Sequence, residues 1–449
     1  MPLGFKNRTP TAQTKNVALR WNPPFFYGWV IVAVVFLAEF AAASVGTLTI
    51  PLFFGAMEDS LGWSLTQLVG AVTAQGLAYI AVAPFLGILL DRIGARPVML
   101  FGAISAGVGL LLLMGVTEVW QFWILYGIVG AFGLHELGQF TGPVVVAKWF
   151  IQKRGRAMAV ATLGTTVGAM IMAPIIGFLI DSFGWRQAWG ILGIGMLVIM
   201  IPPILLFVRR QPEDLGLLPD GGVILTGSAL GSEPTDENVA PSEVIWTLKE
   251  AIRTRALWAL IIASNFYGLA TTVVVIHTVP FFTLQEGMSA QNAAYILTLR
   301  LVAATLSRLI WGFLVEKIPA RYCMAGTILS RSIGSISLIL VPYPYNIVTL
   351  LVTSTFGGAM GILQPVAFAN YFGRTFFGTI QGAMKPFLSI SSLLGPIVIA
   401  IMFDMTGTFD LAFLLNGALG FIGSLAAILA VQPVHPSLKI RVQSDGLVG

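Results

Sequence analysis

"GILLDRIGAR", Gly87 to Arg96, and "GFLVEKIPAR", Gly312 to Arg321, are two versions of one decapeptide. Gly87 matches Gly312, Asp91 matches Glu316, Arg92 matches Lys317 and Arg96 matches Arg321, all at one offset of 225. A second pair, "KWFIQKRGRAMA" (Lys148–Ala159) and "NYFGRTFFGTIQG" (Asn370–Gly382), keeps nearly the same distance, as do Pro143 with Pro365 and Asp181 with Asp404. A constant spacing over so many features makes the chain two parallel copies of one unit. Parallel repeats of long apolar segments are a signature of transporters, whose substrate site lies near the bilayer midplane where the repeats meet.

The repeated unit is built for lipid. Of 449 residues 56% are hydrophobic and 10% charged, against about 25% charged in an ordinary soluble domain. A spanning helix needs ~20 apolar residues, and twelve segments qualify: about 27–55, 66–90, 97–116, 120–147, 157–181, 187–208, 256–283, 291–315, 322–341, 345–371, 378–403 and 409–431. The expectation is an all-α membrane protein of twelve transmembrane helices in two six-helix bundles, 27–208 and 256–431. Residues 1–26 and 432–449 form tails. Residues 209–255, with seven acids between Gln211 and Leu248 and no lysine or arginine there, read as a mobile linker. Met1 to Asn22 is polar and basic with no apolar core, so it reads as a tail and not as a cleavable signal.

Basic residues set the orientation. With both termini inside, 20 of the 25 lysines and arginines fall in cytoplasmic segments and only Arg186 on the other side, as the positive-inside rule requires. This also accounts for the net charge of +5 without a nucleic-acid partner. Four basic residues remain inside spans, all in the second half: Arg300, Arg308, Arg331 and Lys385.

The first decapeptide resembles the G-x-L-x-D-R-x-G-x-R loop of the major facilitator superfamily, and with its second copy the resemblance covers the whole chain. "FFYGWVIV" at the start of span 1 and "WFIQKRGRAMAVATLGTTVG" entering span 5 resemble the monocarboxylate transporter group and its bacterial relatives, near the oxalate/formate exchangers. The resemblance implies two bundles rocking about a central cavity lined by spans 1, 4, 7 and 10. It also implies a gate at Gly87, Asp91, Arg92 and Arg96, answered by Gly312, Glu316, Lys317 and Arg321. Pro319 stands where glycine is usual, which departs from a symmetric second latch. In that group an arginine four residues before the loop glycine binds the substrate carboxylate, and Arg308 holds the place before Gly312. The group's aspartate one turn earlier is Ala304 here, and its span 1 lysine has no counterpart in "SVGTLTIP". A basic residue in span 11, here Lys385, is also shared with oxalate carriers.

A buried guanidinium costs at least ~2.5 kcal/mol on the gentlest insertion scale, so an interior arginine needs a use. Arg300 lies nine residues into span 8, roughly 14 Å deep; Arg308 is eight residues further, rotated by ~80°. Depth favours Arg300 as the anion ligand and resemblance favours Arg308; the bland alternative pairs one of them with Glu39 or Glu136. Gln139, Asn265, Tyr267 and Gln364 could complete a substrate site. They could equally be satisfied between helices. Arg331, on a peripheral span, reads as structural. A carboxyl group in hydrocarbon is favoured neutral and a nearby guanidinium makes it ionise, so Glu39 and Glu136 are candidates for proton coupling. His277, with an unperturbed pKa of ~6.5, could relay protons from outside. His135 and Glu136, adjacent on a helix, diverge by ~100° and do not form a site together. No H-E-x-x-H, P-loop or serine-elbow motif occurs, and three histidines with one cysteine supply a metal site poorly, so neither an enzyme nor a cofactor is expected.

The sequence thus predicts a multi-pass cell-membrane transporter of small carboxylates such as lactate or pyruvate, coupled to protons by symport and acting as a monomer. Organic anion exchange of the oxalate/formate type is the alternative. A non-transporting membrane sensor is the third reading, disfavoured because tails and linker show no effector domain.

Overall fold

The computed structural model of the protein describes residues 25–46, 49–221 and 245–437. The basic tail residues Lys6, Arg8, Lys15, Arg20, Lys439 and Arg441, and the middle of the acidic linker, lie outside the described residues.

The described chain is helical: α1 (Gly28–Ala43), α2 (Pro51–Leu61), α3 (Leu65–Ile93), α4 (Ala95–Leu113), α5 (Val119–Ile128), α6 (Thr141–Trp149), α7 (Arg154–Phe183) and α8 (Trp185–Phe207) in the first half. After the short α9 (Leu248–Ile252) come α10 (Arg255–Pro280), α11 (Ala290–Leu314), α12 (Ala320–Leu340), α13 (Tyr345–Gly357), α14 (Met360–Phe372), α15 (Phe377–Leu388), α16 (Ile390–Thr406) and α17 (Asp410–Leu429). Eight segments among the described residues are long and apolar enough to cross a membrane, seven of them single helices and the eighth, Tyr345–Phe372, made of α13 and α14 together. Local signals start them. Ser64 and Gln67 exchange side-chain to backbone hydrogen bonds of 3.3 and 2.9 Å before α3, the reciprocal cap that satisfies two orphan donors. Gly94 (φ 88°) and Gly184 (φ 80°) turn the chain within one residue between α3 and α4 and between α7 and α8, where a side chain would be strained.

Four spans that the hydropathy reads as continuous are not regular helices. Span 1 divides into α1 and α2, span 10 divides after Gly357, span 11 divides at Ser389, and span 4 widens into a π-helix at Val129–Gln139. A break at membrane depth frees backbone groups that no water satisfies, and polar side chains take them. The Tyr267 hydroxyl donates to Gly357 O (2.9 Å), and Arg331 donates to the same carbonyl from Nε (3.1 Å) and Nη2 (2.9 Å). Ser307 Oγ accepts from Gly358 N (3.0 Å). Asn265 donates to Phe387 O (2.8 Å) and accepts from Ser391 N (3.1 Å), closing the break in span 11.

Within the first half α1 packs on α7 and α4 on α8; within the second, α12 packs on α13 and α17, α10 on α17 and α11 on α13. The halves meet along two main seams, α3 with α15 and α7 with α11, supported by α14 against α6 and α7. Both seams are glycine contacts. A Cβ on Gly87 would strike the Gly378 carbonyl, and one on Gly155 the Gly312 carbonyl. The seams lie at the end of the fold that carries the repeated basic loops, called here the basic end.

The 209–255 segment differs from a free linker at its described edges. The Asp220 carboxylate accepts from the backbone N–H groups of Ile151 (2.9 Å), Gln152 (2.8 Å) and Lys153 (3.0 Å) ahead of α7. Glu213 pairs with Arg374 of the other half at 2.6 Å.

Candidate functional site

Arg308 crosses between the halves. From α11 its Nη1 donates to Thr162 O (3.0 Å) and Thr166 Oγ1 (3.2 Å) on α7. Glu39, 2% exposed on α1, accepts from Thr165 Oγ1 on α7 at 2.7 Å. Glycines make this possible: Gly138, Gly142 and Gly164 surround Glu39, and a Cβ on Gly164 would stand 2.9 Å from the Glu39 Cβ. Glu39 and Arg308 therefore flank neighbouring threonines of α7, electrostatically coupled yet without an ion pair within 4.0 Å. A guanidinium has five donors, and the two contacts of Arg308 go to neutral acceptors.

Lys385 on α15 also faces the first half. Its ammonium stands 5.1 Å from the centre of the Tyr79 ring on α3, and that ring stacks on His135 of the π segment at 3.7 Å and 11°. Gln139, one turn on, is exposed, and Glu136 is fully buried. Neither carboxylate oxygen of Glu136 has a hydrogen-bond partner among the described residues. No carboxylate pairs with Lys385 among the described residues.

Arg300 is sealed at 1% exposure and its Nε has no hydrogen-bond partner. Its electrostatic neighbours are Arg331 and Tyr267. Asn265 and Tyr267, predicted to line the site, use their polar atoms on the breaks of spans 11 and 10. Gln364 is half-buried. His277, towards the far end of α10, is buried beside Phe409 with Nε2 unpartnered, nearly three turns beyond Tyr267 at about 3.6 residues per turn.

At the basic end Asp91 accepts from Gly378 N (3.3 Å), Thr379 N (2.7 Å) and Lys148 Nζ (3.2 Å). Glu316 accepts from Arg156 N (3.1 Å) and pairs with its side chain at 2.8 Å. The neighbouring bases differ from the sequence expectation. Arg92 and Lys317 are exposed, Arg96 donates to Leu205 O (2.6 Å) within its own half, and Arg321 lies over Tyr322. The crossing is made instead by Arg154, which donates to Asn370, by Arg156 with Glu316, and by Arg374, which donates to the backbone carbonyl of Lys148 (2.9 Å), while the Lys148 side chain braces Asp91 within the first half. All four stand in the second pair of repeated segments, "KWFIQKRGRAMA" and "NYFGRTFFGTIQG", so the repeat itself was the available signal. Thr165, Thr166 and Tyr79 carried no signal in the sequence.

The chain belongs to the Major Facilitator Superfamily, whose family model matches residues 35–384 and 279–446. It is similar to human monocarboxylate transporter 11, 24% identical over 440 residues that cover 95% of this chain and 88% of that one. It is similar, at 24% identity over 450 residues, to the probable galactarate/D-glucarate transporter GudP of Bacillus subtilis, covering 93% of this chain and 94% of that one. Its fold matches the transporter FucP, solved in the outward conformation, with a TM-score of 0.69 at 15% identity, covering 91% of this chain and all of that one. Members of this family are transporters and not enzymes, and the chain is a multi-pass membrane protein with a small-molecule substrate.

Proposed function

We propose that this superfamily member carries small monocarboxylates together with protons across the cell membrane by alternating access, its basic end and both termini facing the cytoplasm. The observation that carries the reading is Arg308, a guanidinium between the bundles whose contacts are neutral oxygens and which pairs with no carboxylate among the described residues. Such a fork binds a carboxylate with two parallel, charge-assisted hydrogen bonds. Glu39 supplies the coupling. Ionised, it and a bound substrate would both draw on Arg308 across α7; protonated, it leaves the guanidinium to the substrate. Anion and proton then load together. The closed seams at the basic end support entry from the opposite side, and the relatives named monocarboxylate transporters support the substrate class.

Lys385 favours a second reading. A second interior cation without a carboxylate partner suits a substrate with two negative groups, taken up by exchange as in oxalate/formate carriers; galactarate and D-glucarate, which give one relative its name, are also diacids. Flux into proteoliposomes separates the readings. Accumulation driven by an inward pH gradient with no internal anion supports symport, uptake only against a preloaded anion supports exchange, and saturable binding without flux would make the protein a sensor. A thermal-shift series of mono- and dicarboxylates names the substrate.

A further inference from the structure

Arg308 is anchored by one nitrogen only. Nη1 has two hydrogens, and two acceptors on α7, Thr162 O at 3.0 Å and Thr166 Oγ1 at 3.2 Å, take them. Nε and Nη2 keep the other three of a guanidinium's five donors, with no acceptor among the described residues. Those two nitrogens form the side edge of the guanidinium, an edge that a carboxylate meets with two parallel hydrogen bonds. The anchor falls on the nitrogen that this edge does not need.

Thr166 departs from the other helical threonines. A threonine inside a helix commonly folds its hydroxyl back onto a carbonyl of the preceding turn, and Thr162, Thr305, Thr353 and Thr355 do so. Thr166 instead accepts from Arg308, whose nitrogen bridges its Oγ1 and the Thr162 carbonyl where the back-bond would run. Arg308 and Thr166 are both half-buried, whereas Arg300 is sealed.

The anchor also belongs to the opposite half. A Cβ on Gly164 or Gly168 would strike the Phe36 or Phe40 carbonyl of α1, so α7 is pressed onto α1 and its threonines move with the first half. Arg308 stands about one helical turn from Gly312, whose neighbours on α7 are Gly155 and Ala159. Thr162 and Thr166 are therefore the next rung of the seam that closes the basic end. Separation of α7 from α11 there takes both acceptors away from the guanidinium.

We infer, on the reading that Arg308 is the carboxylate ligand, that Thr166 is the positioning residue of that site. With the Thr162 carbonyl it ties Nη1 to α7 while the basic end is closed, leaving the Nε–Nη2 edge held and free for the substrate, and it lets the guanidinium go when that end opens. Affinity then depends on state. A fork fixed in advance binds without the cost of ordering a long side chain, and a fork that swings must meet that cost on binding. The carboxylate is held tightly in the closed form and loosened as α7 leaves α11, so release is built into the opening of the seam.

The purified full-length protein is titrated with pyruvate, L-lactate and oxalate. Two quantities are read: the saturable rise in Tm that a ligand of the folded state produces, and the distance between spin labels on the basic ends of α7 and α11. Thr166→Val removes the hydroxyl at similar volume, and Thr166→Ser keeps it. The expected affinity is about tenfold lower in Thr166→Val, as for loss of one hydrogen bond to a charged group, and within about twofold of the parent in Thr166→Ser. The anion should also move the label distances towards the short, closed population in the parent and the serine variant, because a ligand favours the state it binds better. In Thr166→Val that movement should be lost. Parent-like affinity in Thr166→Val, or a serine variant as weak as the valine one, overturns the inference; if Arg308→Ala has then lost binding, the carboxylate reading still stands. Anion binding that leaves the label distances of the parent unchanged overturns the inference with no variant needed. Normal binding by Arg308→Ala, or no response of the parent to any of the three anions, overturns both.

Discussion

Asp91 and Glu316 hold the basic end shut in the same way. Each carboxylate accepts backbone N–H groups at the start of a helix from the opposite half: Asp91 those of Gly378 and Thr379 on α15, Glu316 that of Arg156 on α7. An acid at a helix N-terminus meets the positive end of the helix dipole as well as free donors, so both latches are closed by backbone as much as by side chains. Pro319 does not interfere, since it begins α12 after the acid has been placed.

The two latches should differ in strength. Lys148 and Asp91 have side chains only 9% and 4% exposed, while Arg156 is 38% exposed. The buried Asp91 carboxylate, braced by Lys148, accepts two backbone N–H groups of the other half, and a hydrogen bond to a charged group contributes about 1.5–3 kcal/mol; an exposed ion pair such as Arg156–Glu316 is worth ~0–1 kcal/mol. Asp91→Asn is therefore expected to open the basic end, read as a new long distance between spin labels on the basic ends of α7 and α11, and Glu316→Gln to shift the distribution only slightly. Equal effects would contradict the burial argument.

Glycine at the seams is required by space. Gly87→Val and Gly155→Val are expected to prevent closure, because any Cβ there strikes a carbonyl of the facing helix, and to abolish uptake while the protein still reaches the membrane. Gly177→Val, with open space at its Cβ, should transport like the parent. Normal uptake by both seam variants would show that the seams do not close during the cycle.

Arg308→Ala should lower carboxylate affinity at least tenfold, since a hydrogen bond to a charged group contributes roughly 1.5–3 kcal/mol. Lysine should restore little, having no planar fork. Thermal shift and uptake both report it, and unchanged substrate-induced shifts in Arg308→Ala would remove the main support for the anion assignment.

Glu39→Gln fixes that side chain neutral. It should leave anion exchange intact and abolish accumulation driven by an inward pH gradient. Thr165→Val, which removes the hydrogen bond to Glu39, should alter the pH dependence of uptake without stopping it. Retained pH-driven accumulation in Glu39→Gln would move the coupling to Glu136 or His277, or leave simple exchange.

The orientation is checked by cysteine labelling. Cysteines at Glu118 and Glu286, both at the end opposite the basic loops, should react with an impermeant reagent in intact cells. Reaction only after permeabilisation would place the basic end outside.

The sequence by itself determined what depends on composition and repetition. Apolar segment length fixed the helices, the offset between Gly87 and Gly312 fixed two like halves, and the excess of lysine and arginine on alternate loops fixed an expected orientation; each is a property of residues near one another in the chain or of their regular recurrence. It marked Arg300, Arg308 and Lys385 as charges that needed a reason, because their presence in apolar helices is costly wherever they point. The tertiary structure decided what each of them meets. Asn265 and Tyr267 read as cavity polars, and Arg331 as structural with no named partner, until the breaks in spans 10 and 11 appear. Hydropathy does not register those breaks, because a kinked apolar segment is as apolar as a straight one. Only three-dimensional packing shows that Arg308 reaches α7 beside Glu39, 269 positions earlier in the chain (308 − 39), and that Arg300 pairs with no carboxylate among the described residues. Side-chain partners across a bundle are set by which helix faces which, and that is a property of the assembled fold.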